Sequence, residues 1–359
     1  MKYPAVTYYD YLKLNSLLGS QVPRGPEFGL KAHDEMLFIV VHQTYELWFR
    51  QILWELESVL EIFRGEDVHE SQMGLACARL ERIFEIQKLI NQQIDVLETM
   101  TPLDFMDFRD ALFPASGFQS FQWRAIETLL GLRSEQRLVF NGTPFHAALK
   151  PEEQTRMLKM LEGDSLFDAV EKWLARTPFL KDGDFEFWKT YREAVEKLLV
   201  GDLQLVDSAT HLNDETKART RAQIEASLKT FRSIFEPAEY AKLQEQGYFR
   251  MGLKGLQGAL FVQIYRDEPA LQQPFRLLRV LQNIDEKMTE WRYKHALMAH
   301  RMLGRKIGTG GTSGHDYLRS ATEKHKIYGD LFNLATFLIP RSQIPPLPAE
   351  LQKRMSFHY

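Results

Sequence analysis

One periodic seam constrains this chain more than any other feature. From Leu277 onward, Leu277, Leu281, Ile284, Met288, Trp291, His295, Met298 and Met302 recur at alternating intervals of four and three residues. Only an α-helix gathers such positions on one face, and an uninterrupted apolar seam of this length predicts burial against other helices. An imidazole stands inside that apolar row.

The rest of the chain reads the same way. Residues 34 to about 63 form one helix, with Asp34 and Glu35 suited to the positive end of the helix dipole and Gly65 just past the end. Its opening turns, Met36-Leu37-Phe38-Ile39-Val40-Val41, are apolar on every side, which predicts a helix buried in the middle of a core. A further helix spans about Met73 to Met100 and carries Ala76, Leu80, Ile83, Ile90, Ile94 and Leu97 on one face before Thr101-Pro102 ends it. A short helical piece around Asp104 to Leu112, a Pro114-Ala115-Ser116-Gly117 turn and a helix from about Phe118 to Gly131 follow. With no series of short alternating strands, the fold class is all-α, a large helical bundle.

Organisation follows from where this pattern weakens. Residues 151–249 hold shorter, more charged helices broken at Gly163-Asp164, Thr177-Pro178, Asp182-Gly183-Asp184 and Pro237, and are expected to form a smaller inserted lobe. Residues 31–150 and 250–340 would make the core, 1–30 an N-terminal arm, and the proline-rich 341–359 an extended tail.

Composition narrows the function classes. Across 359 residues, 45 basic side chains against 48 acidic ones give a net charge of −3, which offers no broad electrostatic footprint for nucleic acid or an anionic membrane. The longest apolar run, Met36 to Val41, is far short of a membrane span. Cys77 is the only cysteine, so neither an intrachain disulfide nor a cysteine-based zinc or iron–sulfur site can form. With no signal-peptide core at the N-terminus, a cytoplasmic protein is expected.

The histidines sort by position. His33, His69, His211, His315, His325 and His358 lie among polar residues, where a solvated ring is expected. His295 and His42 are anomalous: the first occupies the seam, and the second shares a face with Phe38, Tyr45 and Phe49. Each admits two readings, a core histidine satisfied by a hydrogen bond or half of a functional pair. No H-E-x-x-H occurs, and the only E-x-x-H, Glu66 to His69, lies in a charged segment, which excludes a zincin helix and a di-iron bundle. A single imidazole projecting into an apolar cavity is how a protein holds haem.

Three other features also stay open. The glycine-dense loop from Gly304 to Gly314 lacks a phosphate-loop pattern and follows a helix, so it is a cap with a loop, or backbone that approaches a ligand beside Thr309 and Thr312. Arg109 can pair with Asp107 or Asp110 at the surface, or turn inward and grip a ligand carboxylate bidentately. The arm bearing Tyr8, Tyr9 and Tyr11 is expected to dock on its own core or on a neighbouring subunit. No G-x-S-x-G supports a serine hydrolase.

Four separated motifs, in order, carry a resemblance. They are His33-Asp34-Glu35-Met36-Leu37-Phe38-Ile39-Val40-Val41-His42-Gln43-Thr44-Tyr45-Glu46-Leu47-Trp48-Phe49, Phe108-Arg109-Asp110 leading to Pro114-Ala115-Ser116-Gly117-Phe118-Gln119-Ser120, Trp291-Arg292-Tyr293-Lys294-His295, and Gly308-Thr309-Gly310-Gly311. Together they closely resemble the tryptophan 2,3-dioxygenase family over almost the whole chain, and the Leu331 to Arg341 stretch is similar to its longer, animal-type members.

The resemblance implies a homotetrameric haem b enzyme, ferrous when active. It would insert both atoms of O2 across the indole C2–C3 bond of L-tryptophan to give N-formyl-L-kynurenine. It further implies His295 as the axial iron ligand, His42 as the acceptor of the indole N–H, Arg109 on the substrate carboxylate and Thr309 on its ammonium and carboxylate groups. Phe38, Phe105, Leu112 and Ser116 would line the pocket, with Ser116 and Gly117 beside the haem. An arm exchanged between subunits would bring Tyr8, Tyr11 and Leu12 to a neighbour's site. Some members carry tyrosine where this chain has Phe105, so that hydroxyl contact would be absent here. Two rivals remain: a haem monooxygenase of the same fold giving an oxindole, and a haem or O2 sensor without turnover.

Overall fold

The computed structural model describes residues 3–65, 68–138, 143–304, 306 and 314–356. It is all-α, as the periodicity predicts. The arm carries two short helices, α1 (Tyr8–Leu12) and α2 (Leu14–Leu18), before the long helices α3 (Glu35–Phe63) and α4 (Glu70–Leu97). Then come α5 (Pro102–Arg109), α6 (Phe121–Leu130), α7 (Pro151–Leu161), α8 (Leu166–Leu174), α9 (Phe187–Ser208), α10 (Asp214–Phe235), α11 (Pro237–Glu245) and α12 (Leu253–Ile264). The seam lies on α13 (Pro269–Leu303), and α14 (Gly314–Lys324), α15 (Gly329–Asn333) and α16 (Ala349–Arg354) follow. The Asp182-Gly183-Asp184 break is the turn of a hairpin pairing Lys181–Asp182 with Phe185–Glu186, and Gly183 supplies the positive φ of 55°.

The chain divides into two compact units. The first comprises Met1–Glu57, Arg82–Gly163 and Glu286–Lys326, and the second Ser58–Glu81, Asp164–Asp285 and Ile327–Tyr359. The boundaries fall inside α3, α4 and α13, and residues 151–249 are shared out, 151–163 to the first unit and 164–249 to the second.

In the first unit, polar bonds tie α3, α4 and α13 together at fixed points. The Tyr45 hydroxyl donates to the Ile90 carbonyl at 2.8 Å, and the Asn91 amide donates to the Lys287 carbonyl at 3.2 Å. The root of the arm is held to α3 by the buried Glu35 carboxylate, which accepts the Arg24 and Gly25 N–H groups at 2.7 and 2.9 Å. A Cβ at residue 25 would lie 2.9 Å from that carboxylate, so the anchor requires Gly25.

In the second unit, Leu277, Leu281 and Ile284 are fully buried, as the seam predicts. Helix α12 approaches α8 so closely that a Cβ on Gly258 would lie 2.1 Å from the Leu174 carbonyl oxygen. The Asp330 carboxylate caps the start of this region by accepting the Arg250 and Met251 N–H groups.

Three expectations need correction. The opening turns of α3 are not enclosed: Met36 is 41% and Val40 43% exposed, because no described element of this chain covers that face. The seam is fully buried only to Met288, and Trp291, His295, Met298 and Met302 are half-buried. The proline-rich C-terminus is not simply extended, since α16 forms after Pro348 and buries Leu351 and Met355.

Candidate active site

Both anomalous histidines lie in the first unit, each set among aromatic rings. His42 faces Phe38 one turn earlier on α3, ring centroids 4.0 Å apart. Phe38 in turn meets Phe105 at 5.8 Å and Phe108 at 5.6 Å, both from α5. Thr101 fixes the start of α5 with a capping box to Asp104, and that start sets the register of Phe105, Phe108 and Arg109.

Hydrogen bonding settles the tautomer of His42. Its Nδ1 lies 2.7 Å from the Phe38 carbonyl oxygen, and a carbonyl only accepts, so Nδ1 carries the proton and Nε2 presents a lone pair. Burial lowers the pKa of this imidazole, and the Phe38 hydrogen bond and the Glu46 charge oppose that shift without reversing it. His42 is nonetheless solvent-accessible. The site therefore holds a neutral hydrogen-bond acceptor against the ring of Phe38, which packs in turn on Phe105 and Phe108.

His295 stands on a second aromatic wall. Its ring lies 5.0 Å from Trp291, which packs 4.4 Å from Trp123 of α6 and meets Tyr45 edge-on at 6.1 Å. Phe49 closes the wall at 5.2 Å from Trp123. Burial pushes the His295 pKa down to about 4, and protonation of His42 would lower it further. Its Nδ1 is buried without a hydrogen-bond partner among the described residues. A buried polar atom left unsatisfied in this way marks a site that expects another group.

That group is constrained by what surrounds it. Among the described residues no three His, Cys, Asp or Glu side chains come together to hold a bare metal ion. An iron here would need its own equatorial ligands and one neutral imidazole, and flat aromatic walls suit a planar macrocycle. The residues present fit a haem.

The other expected site residues are placed as follows. Arg109 ends α5 half-buried, one residue after the buried Phe108, and Leu112 and Ser116 are half-buried in the segment that follows. The Ser116 hydroxyl accepts the Phe118 N–H at 3.4 Å and starts the short turn Gly117–Gln119, where the Cβ direction of Gly117 meets open space. Tyr8, Tyr11 and Leu12 are exposed on the arm. Thr309 and the Gly308 to Gly311 motif lie outside the described residues.

The family model described as tryptophan 2,3-dioxygenase matches residues 2–338. The chain belongs to the tryptophan 2,3-dioxygenase family. It is 59% identical over 359 residues to the tryptophan 2,3-dioxygenase of Bdellovibrio bacteriovorus, covering 100% of both chains. It is 44% identical over 351 residues to that of Alteromonas mediterranea (98% of this chain, 97% of the relative). With tryptophan 2,3-dioxygenase B of Danio rerio it shares 43% over 350 residues (97% of this chain, 86% of the relative).

Sequence reading missed one charged cluster in this family member. Glu127, 1% exposed on α6, is bonded to Arg137 at 2.6 Å, Arg292 at 2.9 Å and Arg124 at 3.2 Å. These guanidinium groups hold its carboxyl far below the usual carboxylate range against the opposing effect of burial. His325 belongs to the same cluster. It is 2% exposed rather than solvated, its Nε2 accepts the Leu138 N–H at 3.1 Å, and burial pushes its pKa down to about 4. The available signal was an Arg124–Glu127 pair at helical spacing between apolar residues of one helix.

Proposed function

We propose that this chain is a haem-dependent dioxygenase that opens the indole pyrrole ring of L-tryptophan with O2, giving N-formyl-L-kynurenine. The observation that carries the reading is the fixed tautomer of His42, whose Nε2 can accept an indole N–H beside the rings of Phe38 and Phe105. Membership of the family supports the reaction class.

His295 would hold haem b through a ring nitrogen that burial keeps neutral, with Ser116 and Gly117 against the macrocycle. When bound in its ferrous form, the haem supplies the activation of O2. The chain's own residues orient the substrate. Arg109 meets the carboxylate, Thr309 the ammonium and carboxylate groups, and Phe38, Phe105, Leu112 and Ser116 enclose the indole and keep water from it. Phe105 offers no hydroxyl, so the carboxylate depends on Arg109 and Thr309.

The same reading extends to the assembly. Tyr8, Tyr9, Tyr11 and Val22 are exposed on the arm while its root is tethered to α3, and the apolar opening of α3 is uncovered. A homotetramer in which each arm brings Tyr8, Tyr11 and Leu12 to a neighbour's site would cover such surfaces. No helix among the described residues is long and apolar enough to cross a membrane, and a cytoplasmic protein without nucleic-acid partners is proposed.

The test is chemical. The purified protein is reduced anaerobically, given L-tryptophan and O2, and the product weighed. Gain of two oxygen atoms supports the proposal; one oxygen gives the oxindole monooxygenase, and no oxygen uptake a non-catalytic haem protein.

A further inference from the structure

We propose that Glu46 is a positioning residue of the site, locking the segment that carries Ser116 and Gly117 to the helix that carries His42. It lies one turn after His42 on α3, so the two side chains share a face. The Glu46 carboxylate accepts the Ser120 hydroxyl at 2.6 Å and the Gln122 amide at 2.8 Å. The Gln122 amide also donates to the Glu46 carbonyl at 2.7 Å, so side chain and backbone of one residue grip two residues across the helix pair.

These bonds lead to both histidines. The Ser120 oxygen accepts the Trp123 N–H at 3.2 Å and so caps α6, and Trp123 packs on Trp291, which packs on His295. Four residues before Ser120 stands Ser116, whose backbone N–H donates to the Gln119 side chain at 3.1 Å. Movement of the Ser116–Ser120 segment relative to α3 would shift the pocket wall against His42. Within that segment the Glu46 carboxylate bonds Ser120, and hydrogen bonds to an ionised acceptor are the strong ones.

Glu46 borders a polar cavity of about 380 Å³, shared with Arg50, Glu57, Glu153 and Arg156. Water can enter that space when the carboxylate is removed. Truncation at residue 46 therefore loosens the latch without leaving a dry void in the core.

This inference rests on the haem-site reading above, and its test separates the two. In the full-length purified protein, Glu46→Ala is expected to raise amide hydrogen exchange over residues 116–123 on the order of tenfold, one charge-assisted bond being worth about that factor. Glu46→Gln, which keeps an acceptor oxygen, is expected to recover most of the protection, and Ser120→Ala to give a smaller rise. This measurement needs no haem. In the ferrous holoprotein the infrared band of bound CO, which reports the wall opposite the iron, is expected to broaden in Glu46→Ala and to sharpen again in Glu46→Gln. Wild-type exchange over 116–123 in Glu46→Ala overturns the proposal, as does loosened exchange with an unchanged CO band. Wild-type protein that takes up no haem overturns the haem-site reading, and the latch then stands or falls on exchange alone.

Discussion

Arg292 donates to the buried carboxylate of Glu127 across 2.9 Å, and does so three residues before His295 on the same helix. The guanidinium also donates to the His325 carbonyl at 2.9 Å, so the turn presenting the imidazole is fixed by charge as well as by packing. Three guanidinium groups depend on this one carboxylate. Glu127→Gln strips their countercharge in a dry site, where loss of one partner costs about 3–5 kcal/mol. The expected outcome is a fall of that order in unfolding free energy, read from denaturant midpoints, with the isosteric side chain excluding a packing explanation.

His295→Ala is expected to abolish stable haem ligation while leaving the helices intact. The wall of Trp291, Trp123 and Tyr45 does not depend on the imidazole, and only the ring proposed to ligate the iron is lost. Absorbance of the reconstituted protein checks this, and a wild-type five-coordinate ferrous spectrum in the variant would refute the assignment of His295.

Stability should fall on the acid side. Unfolded histidines titrate near 6.5, and burial brings His325 to about 4 in the folded chain. Below pH 6.5 the unfolded chain therefore binds the extra proton, and the stabilisation present above 6.5 is lost as pH falls toward 4. The expected slope is about 1.4 kcal/mol per pH unit for each such histidine. In haem-free protein His295, also near 4, adds a second proton to the slope. Urea unfolding at several pH values measures it, and His325→Gln should flatten it by about one proton.

The sequence made legible what depends on periodicity. The limits of α3 follow from its acidic start and Gly65, and the buried face of α4 and the seam to Met288 follow from spacing, because helical burial repeats at a fixed interval. His42 and His295 stood out because a polar ring on an apolar face breaks that pattern. His325 did not, since its partners lie on segments separated by many residues and its neighbours in sequence are polar, and Glu127 did not because, although Arg124 stands three residues away among apolar residues, Arg137 and Arg292 come from other segments. The exposed opening of α3 was misread because apolar residues all round a helix do not by themselves specify which elements pack against it, and Met36 and Val40 stay exposed.

His42→Ala is expected to retain haem and to lower kcat/KM for L-tryptophan about ten- to a hundredfold, the cost of leaving the indole N–H without its acceptor. Because Nε2 must stay unprotonated to accept, wild-type activity should fall as pH drops through the lowered pKa of His42, and the variant should lack that acid limb. Steady-state rates across pH at saturating O2 check both statements.

On the proposed reading, Arg109 would separate recognition of the amino acid from recognition of the indole. A bidentate arginine–carboxylate pair is lost entirely when either partner is removed. Arg109→Ala is therefore expected to raise KM for L-tryptophan at least about tenfold, with haem content unchanged. Tryptamine, which keeps the indole and the amine but has no carboxylate, should bind wild type and variant equally poorly. Binding titrations of both compounds to the ferrous protein give the comparison. A variant that weakens both to the same degree would show that Arg109 supports the packing of Phe105 and Phe108 instead of gripping the carboxylate.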